Sequence, residues 1–348
     1  MSAATQFYII SLLVFAAVDL LAAYGLNLQF GVAGLLSFAF ILFQSAGAYA
    51  ASVTSLGPDT ANGGFQHYIL GSTLPFPLPL VCAALAGALL ALPIGLVTLR
   101  RLRSDYQAIA LLVMSIIATD LVTNDQHLLN GAAGLSLIPA PLQNRLALTQ
   151  VGYQWLFVLF CIVVTAACYL VMRRLTKAPL GRAMRAMRDN EQAALSLGKN
   201  VVWLRIITFA VGGAMAGLSG GLLVEFVGAW APSGWLYPET FVLFTAIIIG
   251  GTGNDVGVLA GVLLVPVVIA EATQFLPSIG RPGLIAALQW ILIGVLLIVF
   301  LWLRPQGIFP ERKRRFPSAE ELSRGVPRRR LSIGASAALN GRQGAPRG

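Results

Sequence analysis

Long apolar runs, each about the length needed to cross a lipid bilayer, are the feature that most restricts how this chain can fold. They lie at 6–26, 31–52, 79–99, 105–124, 152–172, 205–228, 239–272 and 284–303. A helix needs about 20 such residues to span the hydrocarbon core. The run at 239–272 is too long for one span and contains GGTGNDVG, so we divide it there. The sequence therefore predicts about nine spans.

The composition supports a membrane protein, because only 11% of the residues are charged against about 25% in soluble domains. Lipid offers no hydrogen-bond partners to the backbone, so the spans must be helices, and the alternation of a membrane barrel is absent. The predicted fold class is all-α: a polytopic transmembrane bundle of about 8–10 spans.

The basic residues, which give a net charge of +10, predict the topology. They cluster at 100–103, 173–205 and 304–347, each time after an apolar run. Cytoplasmic loops are enriched in Lys and Arg, so we expect the N-terminus outside and the C-terminus in the cytoplasm. If the segment near 26–34 were re-entrant, entering and leaving the membrane on the same side, the predicted orientation of the N-terminus would be reversed. Topogenic charge and attraction to membrane lipid explain these residues better than nucleic-acid binding, so we expect no nucleic-acid partner.

The chain divides into a transmembrane domain, 1–310, and a basic tail, 311–348, that we expect to be disordered in the cytoplasm. Within the first part, 173–204 forms a cytoplasmic loop. Two outer loops, 53–78 and 125–151, are rich in turn-forming residues.

A polar island stands between the apolar runs at 178–200. Pro179 suits the first turn of a helix and Gly198 its end, so we expect one helix of about five turns. On a helical wheel one side carries Leu180, Met184, Met187, Ala194 and Leu195. Such a helix can lie on the membrane surface, link two spans, or dock into a groove on another protein.

The island also carries a family resemblance. GRAMRAMRDNEQAALSLGKNVVWLRIITFAVGGAMAGLSGGLL, 181–223, resembles the cytoplasmic loop and next span of permease subunits from bacterial ABC importers for branched-chain amino acids. Weaker similarity follows in order at 24–40, 103–116, 130–139, 248–261 and 302–312. Leu36, Asn254 and Val258 depart from the family pattern, and the tail beyond Arg312 is not covered.

The resemblance implies that the island is a coupling helix seated in a cleft of an ATPase subunit. The ATPase-coupling residues would be Gly181, Arg182, Met184, Arg185, Met187, Arg188, Asp189, Asn190, Glu191, Ala194, Leu197 and Gly198. Met184, Met187, Ala194 and Leu197 would pack there, and the charged residues would orient the helix. The implied partners are two ABC ATPase subunits, a second homologous permease subunit and a periplasmic substrate-binding protein, and the implied location is the bacterial inner membrane.

Polar residues within Gly-rich spans are candidates for the translocation path: Asn27, Gln29, Ser37, Gln44, Ser45, Ser219 and Thr245. They could line a wet cavity, although a serine can equally bond back to its own helix.

Four acidic residues fall inside or near the spans. Asp120, Glu225 and Glu271 are expected near the outer ends, where water reaches them, and are read as interfacial rather than substrate ligands. Asp19 lies deeper and has no assignable partner. His67 and His127 have no metal-spaced companions, and no catalytic set appears, so we expect no metal, no cofactor and no enzymatic activity of the chain itself.

Three other functions remain open. The same architecture could import urea, short amides or sugars, for which the departures at Asn254 and Val258 leave room. An ion-coupled secondary transporter would need paired charges within the membrane, and a membrane enzyme would need a catalytic set.

Overall fold

The fold is taken from a computed structural model that describes residues 3–58, 66–102, 104–141, 143, 149–269, 284–304 and 306–311. Within these ranges the regular structure is helical apart from two isolated bridges. The helices are α1 (Ala3–Asn27), α2 (Phe40–Leu56), α3 (Leu78–Arg101), α4 (Ser104–Asn124), α5 (Gln126–Leu129), α6 (Gln150–Lys177), α7 (Pro179–Asp189), α8 (Glu191–Ser196), α9 (Val201–Val227), α10 (Pro238–Gly250), α11 (Asp255–Val262) and α12 (Leu284–Leu303). Wider π turns extend α1 over Leu28–Val32 and α11 over Leu263–Ile269.

Six of the described helical segments are long and apolar enough to cross a membrane. They are Thr5–Val32, Leu78–Arg100, Tyr106–Asn124, Gln150–Lys177, Val201–Val227 and Pro232–Gly250. Shorter apolar helices cover Phe40–Leu56, Asp255–Ile269 and Ala287–Leu303. The predicted fold class, a polytopic helical bundle, is confirmed.

Helix α9 forms the centre of the bundle and packs against α1, α2 and α3. Glycines permit this packing, because a Cβ atom on Gly47 of α2 would overlap the backbone of Gly217. A Cβ on Gly87 of α3 would likewise overlap the carbonyl of Gly213. Small residues let helix backbones approach closely where lipid provides no hydrophobic drive between helices.

Two interruptions of the helical structure lie at the same end of the bundle, one between α1 and α2 and the other between α10 and α11. The predicted break at GGTGNDVG is confirmed, since α10 ends at Gly250 and the Asn254 side chain caps α11 by accepting from the Val256 amide. The predicted span at 31–52 is wrong at its start. Residues 33–39 are not helical, and Gly34 within them has a φ of +74°, which favours glycine.

The polar island is two helices rather than the single helix of about five turns that we expected. Asn190 is extended, with φ −158°, and its side chain accepts from the Ala193 amide as the N-cap of α8. Asn is among the preferred N-cap residues, so it begins a new helix instead of continuing α7. Pro179 does occupy the first turn of α7, and Gly198, with φ +72°, follows the end of α8.

The compact unit that contains the bundle runs through Glu311. The rest of the expected tail, 312–348, lies outside the described residues, as do Glu271 and parts of both outer loops.

Candidate functional site

Helix α7 lies against the end of the bundle where α6 finishes and α9 begins. A Cβ on Gly181 would overlap the Thr176 carbonyl, so glycine is needed where α7 turns back on α6. Met184 and Met187 are buried, and so is Ala194 of α8. These three side chains pack within the subunit, so they do not form the outward docking stripe that the helical wheel suggested.

Two arginines of α7 share one carboxylate from the far end of the chain. Arg185 Nε lies 3.1 Å from Glu311 Oε1, and Arg188 Nη2 lies 2.8 Å from Glu311 Oε2. Residues three apart project from the same side of a helix, which brings both guanidinium groups to Glu311. Arg185 also donates to the Thr176 carbonyl at 3.1 Å. We call Arg185, Arg188 and Glu311 the Arg–Glu cluster.

Arg188 also connects this cluster to the interruption after α1. Its Nη1 donates to the Gly31 carbonyl. A Cβ on Gly34 would lie 2.7 Å from Arg188 Cγ, so the side chain occupies space that only glycine leaves open. Arg188 further pairs with Asp189 at 3.3 Å, but Asp189 is largely exposed and such a pair is weak.

The interruption between α10 and α11 meets the same cluster. The Gly253 amide donates to Asn27 Oδ1 at 3.0 Å, which ties this interruption to the end of α1. Asn254 Nδ2 donates to the carbonyls of Phe309 (3.1 Å) and Pro310 (3.2 Å). The backbone just before Glu311 is therefore held beside the two interruptions.

Helix α8 is linked to the bundle by a second ion pair. Arg205 Nη2, from α9, lies 2.5 Å from Glu191 Oε2. Arg205 Nη1 donates to the Leu99 carbonyl at 3.4 Å. The outward side of the two helices carries Arg182, Asp189, Asn190 and Gln192. Leu197, which follows α8, is 77% exposed. An apolar side chain so exposed suits contact with a partner.

All seven residues proposed for the translocation path are buried: Asn27, Gln29, Ser37, Gln44, Ser45, Ser219 and Thr245. The hydroxyls of Ser45, Ser219 and Thr245 bond back to their own helices. Gln29 instead crosses to α9, donating to the Phe209 carbonyl at 3.1 Å. Within the described part of the chain, Asn27 Nδ2, Gln29 Oε1 and Ser37 Oγ have no hydrogen-bond partner. Unsatisfied polar groups therefore gather around the interruption after α1.

One of the acidic residues is placed differently from the prediction. Asp120 is exposed, as expected for an interfacial residue. Glu225 is only 3% exposed, so the expectation that water reaches it is wrong. It belongs to the last turn of α9 and lines a cavity between that turn and the starts of α1 and α6.

Sequence reasoning missed several residues of this site, chiefly Glu311, Gly31, Gly34 and the cap Asn254. A weak signal existed for Glu311, because it is the one acidic residue between Arg304 and Arg315. Glu311 and Gly31 could not be assigned as partners of the two arginines from the sequence, since each lies more than 100 positions away from them.

The chain is also similar in sequence to known proteins. Residues 8–301 match the family described as branched-chain amino acid transport system, permease component. The chain is 27% identical over 315 residues to the probable branched-chain amino acid transport permease protein LivM of Methanocaldococcus jannaschii, covering 82% of this chain and 89% of that protein.

Two enterobacterial relatives are also similar. The high-affinity branched-chain amino acid transport system permease protein LivM of Salmonella typhimurium is 27% identical over 307 residues, and the chain spans 66% of that protein's length. The corresponding LivH of the same organism is 32% identical over 130 residues, which are 37% of this chain and 39% of LivH. No solved structure matches. The chain is a multi-pass membrane protein and belongs to the family of permease components of branched-chain amino acid transport systems.

Proposed function

We propose that this chain is the permease subunit of an ABC importer that carries branched-chain or related hydrophobic amino acids across the bacterial inner membrane. The family match over most of the chain supports this role, as do the names of its relatives. The chain itself would be non-catalytic, with ATP hydrolysed by two separate ATPase subunits. Partial similarity to LivH supports pairing with a second permease subunit. A periplasmic binding protein would deliver the substrate to the outer loops.

The observation that carries the coupling role is that Arg188 of α7 contacts both Glu311 and the interruption after α1. An ATPase that displaces α7 and α8 would pull on the Arg–Glu cluster, and through it on the segment where buried polar groups gather. The surface for the ATPase would be the exposed side of the pair, around Arg182, Asn190, Glu191 and Leu197. Met184, Met187, Ala194 and Gly181 would contribute by seating the helices on the bundle.

This proposal assigns the α7 end of the bundle to the cytoplasm and the start of α1 to the outside. The clusters of Lys and Arg at 100–103, 173–205 and 304–315 support that orientation. The basic tail, 312–348, would extend into the cytoplasm beside anionic lipid. Asn27, Gln29 and Ser37 would be the part of the translocation path nearest to the coupling contacts.

The test reconstitutes the chain in vesicles with its second permease subunit, its ATPases and its binding protein. Labelled leucine should enter only with ATP, and excess isoleucine or valine should compete while urea and xylose should not. Uptake that persists without the ATPases would support an ion-coupled transporter instead. Competition by urea or a sugar alone would change the cargo and leave the architecture intact.

A variant at the exposed surface tests the coupling assignment separately. Leu197→Asp should abolish copurification of the ATPases and uptake together, because a charge replaces an apolar contact. Leu137→Asp is the matched control, since Leu137 is 71% exposed beside the end of α9, at the other end of the bundle. It should retain the ATPases. Normal copurification with Leu197→Asp would show that the ATPases bind elsewhere.

A further inference from the structure

A cavity of about 370 Å³ lies between the start of α1, the start of α6 and the end of α9. This is the end of the bundle opposite α7. The cavity is within the size range of small-ligand sites. Phe7 and Phe15 line it and are 54% and 40% exposed, so it reaches the protein surface beside them. None of the residues discussed for coupling or translocation lines this cavity.

The cavity holds two buried polar groups that the rest of the protein does not satisfy. Glu225 is 3% exposed and Tyr153 is 7% exposed. Among the described residues, neither Glu225 Oε2 nor the Tyr153 hydroxyl has a hydrogen-bond partner. None of the described residues that line the cavity is Lys, Arg or His. A carboxylate in such surroundings is costly unless a positive group joins it.

Aromatic rings form a continuous part of the remaining wall, beside Ser11 and three glutamines, Gln143, Gln150 and Gln154. The Phe15 and Phe226 rings meet edge to face with centroids 6.0 Å apart, and Phe226 stacks on Phe157 at 5.8 Å. Phe157 in turn lies 6.4 Å from the Tyr153 ring. Aromatic faces attract cations and also accommodate an apolar body. A wall that combines aromatic rings and amide groups with one carboxylate suits an organic ammonium ion.

We propose that this cavity binds a ligand with an ammonium group on a small apolar body. Glu225 supplies the opposite charge and the Tyr153 hydroxyl accepts a second N–H. The proposal rests on the cavity alone and does not depend on the transport role. Two sources present this chemistry at a membrane edge: a free amino acid or amine, and the ethanolamine headgroup of a lipid.

The test uses the full chain, purified in a neutral detergent, with isoamylamine as probe and calorimetry as readout. Isoamylamine carries an ammonium group on a branched apolar chain, and isoamyl alcohol is its neutral counterpart. One equivalent of the amine should bind, and Glu225→Gln should weaken its binding about tenfold or more. The alcohol should bind no better to the original chain than to Glu225→Gln.

Asp120→Asn is the matched control, because it removes an exposed carboxylate on α4, outside the cavity. It should leave amine affinity unchanged, and the thermal midpoint of Glu225→Gln should show that the variant folds. Tyr153→Phe should weaken binding less than Glu225→Gln. Equal amine affinity in the original chain and in folded Glu225→Gln would overturn the proposal, as would absence of binding.

Competition identifies the natural source once binding is established. Phosphatidylethanolamine added to the micelles should displace the amine if a lipid headgroup occupies the cavity, whereas phosphatidylglycerol should not. L-leucine should displace it if a free amino acid does.

Discussion

Arg188 contacts two parts of the chain that are far from it and from each other in sequence. Its guanidinium group binds Glu311 and the Gly31 carbonyl, and its side chain lies over Gly34. The planar guanidinium group presents several donors at fixed angles, so one residue can hold two acceptors at once. The polar island had marked Arg188 as functional, but nothing local to it indicated which groups it binds.

Replacing Arg188 tests whether these contacts transmit motion. Arg188→Gln should reduce ATP-dependent uptake by about fivefold or more, because each hydrogen bond to a charged group contributes roughly 1.5–3 kcal/mol. ATP hydrolysis by the complex should fall less than uptake, since the ATPases would still assemble. Uptake and hydrolysis measured on the same vesicles provide the ratio.

Two further variants test whether the lost contacts of Arg188 cause the fall in uptake. Arg188→Lys should restore uptake only in part, because the ammonium group cannot reach both acceptors with the same geometry. Arg174→Gln removes an exposed arginine at the end of α6, and its uptake should be unchanged. Full activity of Arg188→Gln would refute the transmitting role.

At the scale of helices, close packing around α9 decides how the bundle assembles. The apolar composition of α9 was sufficient to predict a span. Every predicted span is apolar, however, so composition does not indicate which spans contact each other. Glycines at 213 and 217 of α9 and at 47 and 87 of the neighbouring helices specify the contacts. The break at Asn190 could likewise not be predicted from composition, because it depends on one hydrogen bond from the Ala193 amide to the Asn190 side chain.

A pair of glycine variants tests this packing. Gly217→Ala should lower the thermal midpoint of the purified chain, because its Cβ would overlap the Ala83 carbonyl and two backbones would have to separate. Gly294→Ala, in α12, has nothing within 4 Å of the added Cβ. It should leave the midpoint equal or higher, since alanine favours helix by about 1 kcal/mol. A similar midpoint for both variants would contradict the packing argument.

For the whole molecule, Glu311 marks where the bundle ends. The compact unit includes it, one residue beyond the boundary expected from the sequence. The final basic stretch was predicted to be a separate tail because it is too polar to bury a core. If so, residues 312–348 contribute nothing to coupling, whereas we propose that Glu311 immediately before them does.

Truncation separates these two parts. A chain that ends at Glu311 should retain most of its ATP-dependent uptake and its thermal midpoint. Glu311→Gln in the chain that keeps residues 312–348 should lose uptake to the level of Arg188→Gln, because both arginines lose their shared carboxylate. Loss of uptake on truncation alone would show that the tail takes part in transport.

The sequence by itself determined the helical class, the division at GGTGNDVG and the position of the polar island. Each of these features depends on residues that are close together in the sequence, because bilayer thickness sets the length of an apolar run and a lipid-exposed backbone must be helical. Only the tertiary structure decided which residues meet. Arg188 and Glu311 are 123 positions apart, and Asn27 and Gly253 are 226 apart. Such partners depend on which spans lie side by side, and a hydropathy pattern repeated in every span carries no information about its neighbours.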